Sequence, residues 1–241
     1  MSTSKKPVSV LSVILFGIGV VMGLVFAAFL IWANVEASLF DPDLMGDASL
    51  DLHCPLVLNA DETGTVYASF TNNATWDVNL IIQADISETY LSMFRHERVI
   101  LKLAPGESQE VRWTVSASDK VYGRFVFVKA ANNRQMPIPG RVATCGIVIV
   151  NIPFLTGAEM VVIAIGLTVI LIAVGMVLWY RCNHPLRGKG RDVMRAMTWL
   201  AVVVGVAVLC GIFGAWLPGV VAFVISLLLI AEVIRHYVEV G

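Results

Sequence analysis

The sequence predicts a membrane α-helical protein with four transmembrane helices and an all-β sandwich inserted between helices 1 and 2. Hydrophobic residues make up 57% of the 241 residues and charged residues only 15%, against roughly 45–50% and 25% in an average soluble domain. Four runs reach the length of about 20 apolar residues that is needed to cross a bilayer. Between the first two runs the hydrophobic pattern changes to a period of two, which is typical of β-strands.

Composition and motifs also exclude several classes of function. A mean hydropathy of +0.78 excludes a disordered chain, a coiled coil and a soluble enzyme of ordinary composition. The net charge of -1 leaves no basic surface for nucleic acid. The chain contains no GxSxG, HExxH, P-loop or paired CxxC motif. We therefore expect a protein that is not an enzyme and that has no cofactor.

The predicted membrane helices occupy four parts of the chain, and the first includes a short N-terminal tail: 1–33, 157–180, 197–215 and 219–237. The last two helices form a hairpin, because Pro218 and Gly219 break a helix. A cleaved signal peptide is the alternative for the N-terminus. Its apolar core would be about 7–15 residues long, whereas the first run has about 25, which favours an uncleaved anchor.

Basic residues set the expected orientation, because short cationic loops stay in the cytoplasm. Lys5 and Lys6 precede the first helix, and the predicted cytoplasmic loop 181–196 carries five basic residues: Arg181, Arg187, Lys189, Arg191 and Arg195. We expect a multi-pass protein of the cell membrane, with both termini cytoplasmic and residues 34–156 outside. A small transporter is disfavoured, because the helices lack charge near mid-membrane.

A stripe of small residues on the first helix favours close helix packing. Gly19, Gly23 and Ala27 follow the spacing at which two membrane helices approach each other. Glycine is common in membrane helices, so composition alone is the alternative explanation. The stripe predicts a contact with a helix of a partner subunit.

Residues 54–151 are predicted to form the extracytoplasmic sandwich, after an acidic linker at 34–53. The linker carries five carboxylates: Glu36, Asp41, Asp43, Asp47 and Asp51. A calcium-binding EF-hand is excluded, because Met45 and Leu52 occupy positions that need oxygen ligands. Seven strands are expected: 55–60, 65–71, 77–86, 98–103, 109–116, 122–130 and 142–150.

Three segments of this module carry a family resemblance. Residues 67–73 (YASFTNN), 103–108 (LAPGES) and 111–115 (VRWTV) resemble the generic immunoglobulin-like modules of prokaryotic surface proteins. The resemblance covers only about residues 54–151, and its LxPGE turn occurs in many unrelated proteins. Such modules mostly bind or space other proteins, so the resemblance implies interaction without naming a partner.

Two cysteines are expected to form a disulfide. Cys54 and Cys145 both lie on the oxidising side of the membrane in the predicted topology. The other two, Cys182 and Cys210, belong to the cytoplasmic and membrane regions, where free thiols are expected. Palmitoylation of Cys182 is an alternative to an inert thiol.

The weak candidates for a metal site are His53, Met93, His96 and Met136, which supply the ligand types of a copper centre. Their spacing does not favour one. A blue-copper domain groups its ligands on the last loop, whereas apolar residues follow Cys145. A copper-binding or electron-transfer subunit of a membrane oxidoreductase is therefore the alternative function.

The main expectation is a non-catalytic accessory or scaffold subunit that presents its outer domain to other membrane-protein subunits and is held in the lipid bilayer. The polar loop 132–140 is a candidate recognition loop, with a plain hairpin connection as the alternative. Asn73 begins a glycosylation sequon. The sequence names no organism, partner, oligomeric state or small-molecule ligand.

Overall fold

A computed structural model of the chain describes residues 5–40, 48–132, 140–185 and 188–239. The chain divides into two compact units, which we call the helical unit (Met1–Ile31 with Val162–Gly241) and the β unit (Trp32–Val161). Four helices occur in the described residues: α1 (Lys5–Leu39), α2 (Gly157–Asn183), α3 (Lys189–Ile212) and α4 (Trp216–Glu239).

Three of the helices are long and apolar enough to cross a membrane: Val10–Leu39, Gly157–Asn183 and Gly190–Ile212. The prediction of four transmembrane helices is therefore wrong. The described apolar part of α4 is the shorter helix Trp216–Ala231, which spans only about 24 Å at 1.5 Å per residue, against about 30 Å of hydrocarbon. The prediction that the C-terminus is cytoplasmic depended on that fourth crossing, and it stays a prediction.

The helical unit has its own apolar core. Buried side chains of α1, α2 and α3 form this core: Phe16, Val20, Leu24, Trp179, Met197, Leu200 and Val204. Residues of α4, including Phe223 and Leu229, pack against it. These contacts bury one stripe of each helix and leave large apolar side chains such as Val162 and Leu228 exposed.

The β unit contains nine strands in the described residues: β1 (Ala48–Ser49), β2 (Leu52–His53), β3 (Val57–Asn59), β4 (Thr63–Thr71), β5 (Val78–Glu88), β6 (Tyr90–Leu103), β7 (Ser108–Ser116), β8 (Phe125–Asn132) and β9 (Arg141–Val150). The sequence predicted seven of these strands and missed β1 and β2, which are only two residues long. β6 begins eight residues earlier than expected, at Tyr90 rather than at Arg98.

The strands form two sheets. The six-stranded sheet has the order β1-β9-β8-β5-β6, with β3 also paired to β9, and the three-stranded sheet has the order β2-β4-β7. The pairings of β1 and β3 with β9 are parallel. One apolar core includes inward side chains of both sheets, such as Ile82 and Val128 from the larger sheet and Val66 and Trp113 from the smaller one.

The disulfide Cys54–Cys145 is present in the structure, as predicted, with its Cα atoms 6.5 Å apart and 91 residues of sequence separation. Cys54 lies between β2 of the smaller sheet and β3 of the larger one, and Cys145 lies on β9. Both side chains pack against the core. The bond therefore connects the segment that passes between the sheets to an interior strand of the larger sheet.

Insertion between helices 1 and 2 describes the β unit only loosely, which is a second correction to the predicted fold class. α1 continues to Leu39, through the first residues of the expected linker, and the β unit includes it from Trp32 onward. β1 and β2 also lie inside the expected linker 34–53. In the described part of this segment, the end of α1 and two short strands therefore replace much of the expected linker.

Candidate functional site

The end of α1 covers part of the outer face of the six-stranded sheet, at β8 and at Gly146 of β9, whereas Ile100 on β6 stays exposed on the same face. Ala33, Ala37 and Phe40 are buried at this contact. A Cβ atom added at Gly146 on β9 would lie 2.1 Å from the carbonyl oxygen of Ala33, so only glycine allows the helix to approach this closely. The Phe40 ring also lies 5.9 Å from the ring of Phe127 on β8.

A row of polar side chains crosses the sheet on this outer face, from the exposed His96 to the buried Lys129. Asp85 on β5 is fully buried, and the register places His96 of β6 on one side of it and Lys129 of β8 on the other. The Asp85 carboxylate is hydrogen-bonded to Nδ1 of His96. Gln83 donates from Nε2 to both carboxylate oxygens of Asp85, at 3.1 Å each. The carboxylate thus has several partners inside the β unit.

Lys129 connects this polar row to the end of α1. Its side chain is buried, and Nζ donates a hydrogen bond of 3.2 Å to the carbonyl oxygen of Phe40. The last carbonyls of a helix lack partners within the helix, and a cation there is stabilised by the helix dipole. Lys129 therefore helps to fix the end of α1 on the sheet.

A hydrogen-bonded aspartate and histidine resemble part of a catalytic relay, which also needs a nucleophile. The described polar contacts of His96 are to Asp85 and Gln83. Ser87 lies on the same face, but its Oγ donates to the carbonyl of Asp119 at 2.8 Å and accepts from the backbone N–H of Phe127 at 2.9 Å. These contacts favour a structural role for the row.

The outer face of the three-stranded sheet is, by contrast, exposed and polar. The exposed residues of β4 and β7 on this face include Thr65, Ser69, Glu110, Arg112 and Thr114. We call these residues, together with His53 and Tyr67, the β4–β7 face. The rings of His53 and Tyr67 are stacked at 4.7 Å, and Arg112 forms an ion pair with Glu110. Such a face has the tyrosine and arginine that protein interfaces favour.

The three candidate copper ligands that the structure describes do not form one cluster. His53 lies on β2 of the smaller sheet, whereas Met93 and His96 lie on β6 of the larger one. Met136 lies outside the described residues. Within the part of the chain that the structure describes, no group of three or more His, Cys, Asp or Glu side chains is placed to hold a metal ion.

The small-residue stripe of α1 faces helices of the same chain. A Cβ added at Gly19 would lie 3.0 Å from Ile172 of α2, and one at Gly23 would lie 2.9 Å from Thr168 of α2 and from Val204 of α3. Ala27 is fully buried. The stripe was expected to contact a partner subunit, but in this structure it packs inside the helical unit.

The remaining residues singled out in the sequence fall partly inside and partly outside the described residues. Cys182 and Cys210 are free thiols, and Asn73 is exposed in the turn between β4 and β5. Glu36 lies on α1. The linker residues Asp41, Asp43 and Asp47, and the recognition loop 132–140 apart from its two ends, lie outside the described residues.

Sequence reasoning missed Asp85, Lys129 and Gly146. A signal for their covered face was present in β8, where Phe125, Val126, Phe127 and Val128 are apolar at consecutive positions. Continuous apolar strands are typical of sheets buried on both faces. Nothing in the sequence indicated that α1 covers the second face.

No family model matches the chain, and no curated protein matches it significantly. Solved structures similar to the chain include the crystal structure of a CARDB domain, an immunoglobulin-like β-sandwich, from Pyrococcus furiosus, in complex with di-metal ions. It has 13% identity and a TM-score of 0.34, and the match covers 44% of this chain and 89% of that one.

Two glycosidases also match at 14% identity. They are a β-glucosidase from Listeria innocua (TM-score 0.31, 43% of this chain and 16% of that one) and a β-glucuronidase from Bacteroides uniformis (TM-score 0.30, 41% and 12%). The chain thus spans only a small part of either glycosidase.

Proposed function

We propose that this chain is a non-catalytic accessory or scaffold subunit of a membrane complex, with its β unit outside the membrane for contact with other proteins. The observation that carries the proposal is the order of the elements. The β unit is flanked in the chain by α1 and α2, two helices that are each long and apolar enough to cross a bilayer. Two crossings would return the chain to its starting side.

Charge supports the proposed orientation. The described residues Arg181, Arg191 and Arg195 are exposed near the loop between α2 and α3, and such loops remain in the cytoplasm. In this orientation the N-terminus and the 181–196 loop are inside and the β unit is outside. The disulfide of the β unit fits this placement, because such bonds persist in oxidising compartments.

The β4–β7 face is the surface that we propose for partner contact. The end of α1 covers part of the outer face of the larger sheet, whereas the outer face of the smaller sheet carries exposed polar side chains along β4 and β7. Arg112 is largely exposed there and Tyr67 lies directly opposite it on β4. Tyrosine and arginine are frequent among residues that dominate binding energy.

Orientation is tested by labelling intact cells with a membrane-impermeant maleimide. A Ser118→Cys variant should be labelled without permeabilisation, because Ser118 is exposed in the β unit. The native Cys182 should react only after permeabilisation. If Cys182 is labelled in intact cells and Ser118→Cys is not, the orientation is the opposite of the one proposed.

The scaffold role is tested by purifying the full chain in a mild detergent after crosslinking. We expect a stoichiometric assembly that Arg112→Glu weakens, whereas Lys102→Glu leaves it intact. Lys102 is a matched control because it is an exposed cation on β6 of the other sheet. A monomer under all conditions, or equal effects of both charge reversals, would contradict the proposal.

A further inference from the structure

The loop between β9 and α2 presents an apolar tip to solvent. In this segment, residues 151–156, Phe154 is fully exposed, Ile152 is also exposed, and Pro153 lies between them. Phe154 has φ +71°, in the left-handed region that a bulky residue rarely adopts. Residues 151–155 carry no charge. We call this segment the Phe154 loop.

Polar contacts clamp the loop at both ends. Asn59 at the end of β3 donates from Nδ2 to the carbonyl of Ile152 at 2.7 Å and to that of Leu155 at 2.5 Å. Glu62 accepts hydrogen bonds through Oε2 from the backbone N–H groups of Asn59, at 3.1 Å, and of Gly157, at 2.8 Å. The exposed phenylalanine is therefore held in position from inside the β unit.

Close packing adds to this clamp. A Cβ added at Gly157, the first residue of α2, would lie 1.9 Å from the carbonyl oxygen of Val57. The first turn of α2 is also capped, because Thr156 donates from its backbone N–H and Oγ1 to Glu159 at 2.8 and 2.9 Å. The start of the helix is thus fixed against β3.

The position of the loop in the chain indicates what covers Phe154. Gly157, the first residue of α2, follows Phe154 by three positions, and α2 is a candidate membrane span. Three residues reach about 10 Å at most, so Phe154 lies near the level at which such a span enters the lipid. Aromatic side chains are enriched at that level, where an apolar ring meets the headgroup region.

We propose that the Phe154 loop is a membrane-surface anchor, with Phe154 and Ile152 inserted at the boundary between headgroups and acyl chains. The clamp by Asn59 and Glu62 then sets the height of the β unit above the bilayer. This inference rests on the proposed function, because it requires α2 to cross the membrane.

The test measures the depth of a nitroxide label on the full chain in nanodiscs of phosphatidylcholine with phosphatidylglycerol. The label is attached to Phe154→Cys in a background with Cys182→Ser and Cys210→Ser, which leaves the Cys54–Cys145 disulfide bonded. Two matched labels are used. Asn73→Cys lies in an exposed turn of the β unit, and Ile170→Cys lies at an exposed position of α2.

We expect the label at 154 to be severalfold less accessible to a water-soluble nickel complex than the label at 73, and to be accessible to oxygen. Equal nickel accessibility at 154 and 73, with the label at 170 in lipid, overturns the anchor but not the membrane proposal. A label at 170 that is accessible to nickel overturns both. An immobilised label at 154, shielded from nickel and from oxygen, indicates a protein contact and overturns the assignment to lipid.

Discussion

Both faces of the six-stranded sheet are buried at β8 and at Asp85 of β5, but by different means. The inner face carries apolar residues such as Leu80, Ile82 and Val126, which share the core with the smaller sheet. The outer face carries Asp85 and Lys129, and both are also buried, beneath the end of α1. The comparison shows that a helix which begins as a candidate membrane span also completes the β unit.

The difference between the faces has an energetic reason. Apolar side chains can be buried without partners, whereas a buried charge is costly unless it is paired and hydrogen-bonded. On the outer face, Asp85 has His96 and Gln83 as partners, and Lys129 donates to Phe40. The inner face is additionally held by a covalent bond, the Cys54–Cys145 disulfide.

The largest effect is expected from removing that disulfide. Closing a loop of this length stabilises a fold by about 4–5 kcal/mol in the chain-entropy model. The double variant Cys54→Ser and Cys145→Ser should lose this stability in urea-dependent proteolysis of the full chain in detergent. Cys182→Ser with Cys210→Ser is the matched control and should not change the β unit. Equal proteolysis of both pairs would show that the bond contributes little.

A slightly smaller loss is expected at the centre of the polar row. Asp85→Ala removes the buried carboxylate that lies opposite Lys129 in the β5–β8 register, and taking one of two opposite charges out of a buried site costs about 3–5 kcal/mol. Adding Lys129→Met to Asp85→Ala should recover part of the loss, because the remaining charge is removed. Additive losses in the same proteolysis assay would contradict coupling across the two strands.

Gly146→Ala tests the contact of α1 with the sheet directly. The added methyl would meet the backbone at Ala33, and such overpacking costs about 1–3 kcal/mol. We also expect faster hydrogen exchange for the last turns of α1. Gly166→Ala is the control, because nothing lies within 4 Å of a Cβ at that position. If hydrogen exchange in the last turns of α1 is the same in Gly146→Ala as in the Gly166→Ala control, α1 does not pack against Gly146.

A loss no larger than that of Gly146→Ala is expected at the edge of the sheet, where β3 pairs with β9. Asn59→Ala removes two hydrogen bonds to the Phe154 loop, each of which contributes about 0.5–1.5 kcal/mol. We expect a modest loss of stability and a more mobile nitroxide at 154. Asp61→Ala, at an exposed neighbouring position, should leave the mobility unchanged. Equal mobility of the nitroxide in Asn59→Ala and Asp61→Ala would show that the Asn59 hydrogen bonds do not hold the Phe154 loop in place.

Much of the local structure followed from the sequence because it depends on short-range patterns. The alternation of β4, β5, β7 and β9 predicted these strands to within a few residues. The length of β6 was underestimated, because Arg95, His96 and Glu97 interrupt its apolar pattern. The polar row was not predictable, because Asp85 alternates with apolar neighbours like any solvent-facing residue of a half-buried strand.

The sequence by itself determined the apolar helices, the seven longer strands and the disulfide. The helices and strands depend on hydrophobic period, and the disulfide was predicted because the expected topology placed only Cys54 and Cys145 outside. Only the tertiary structure decided what covers each face. It placed α1 against Gly146 and turned Gly19 and Gly23 toward helices of the same chain. It also limited the number of sufficiently long apolar helices in the described residues to three. These outcomes depend on contacts between distant segments, which periodicity along the chain does not encode.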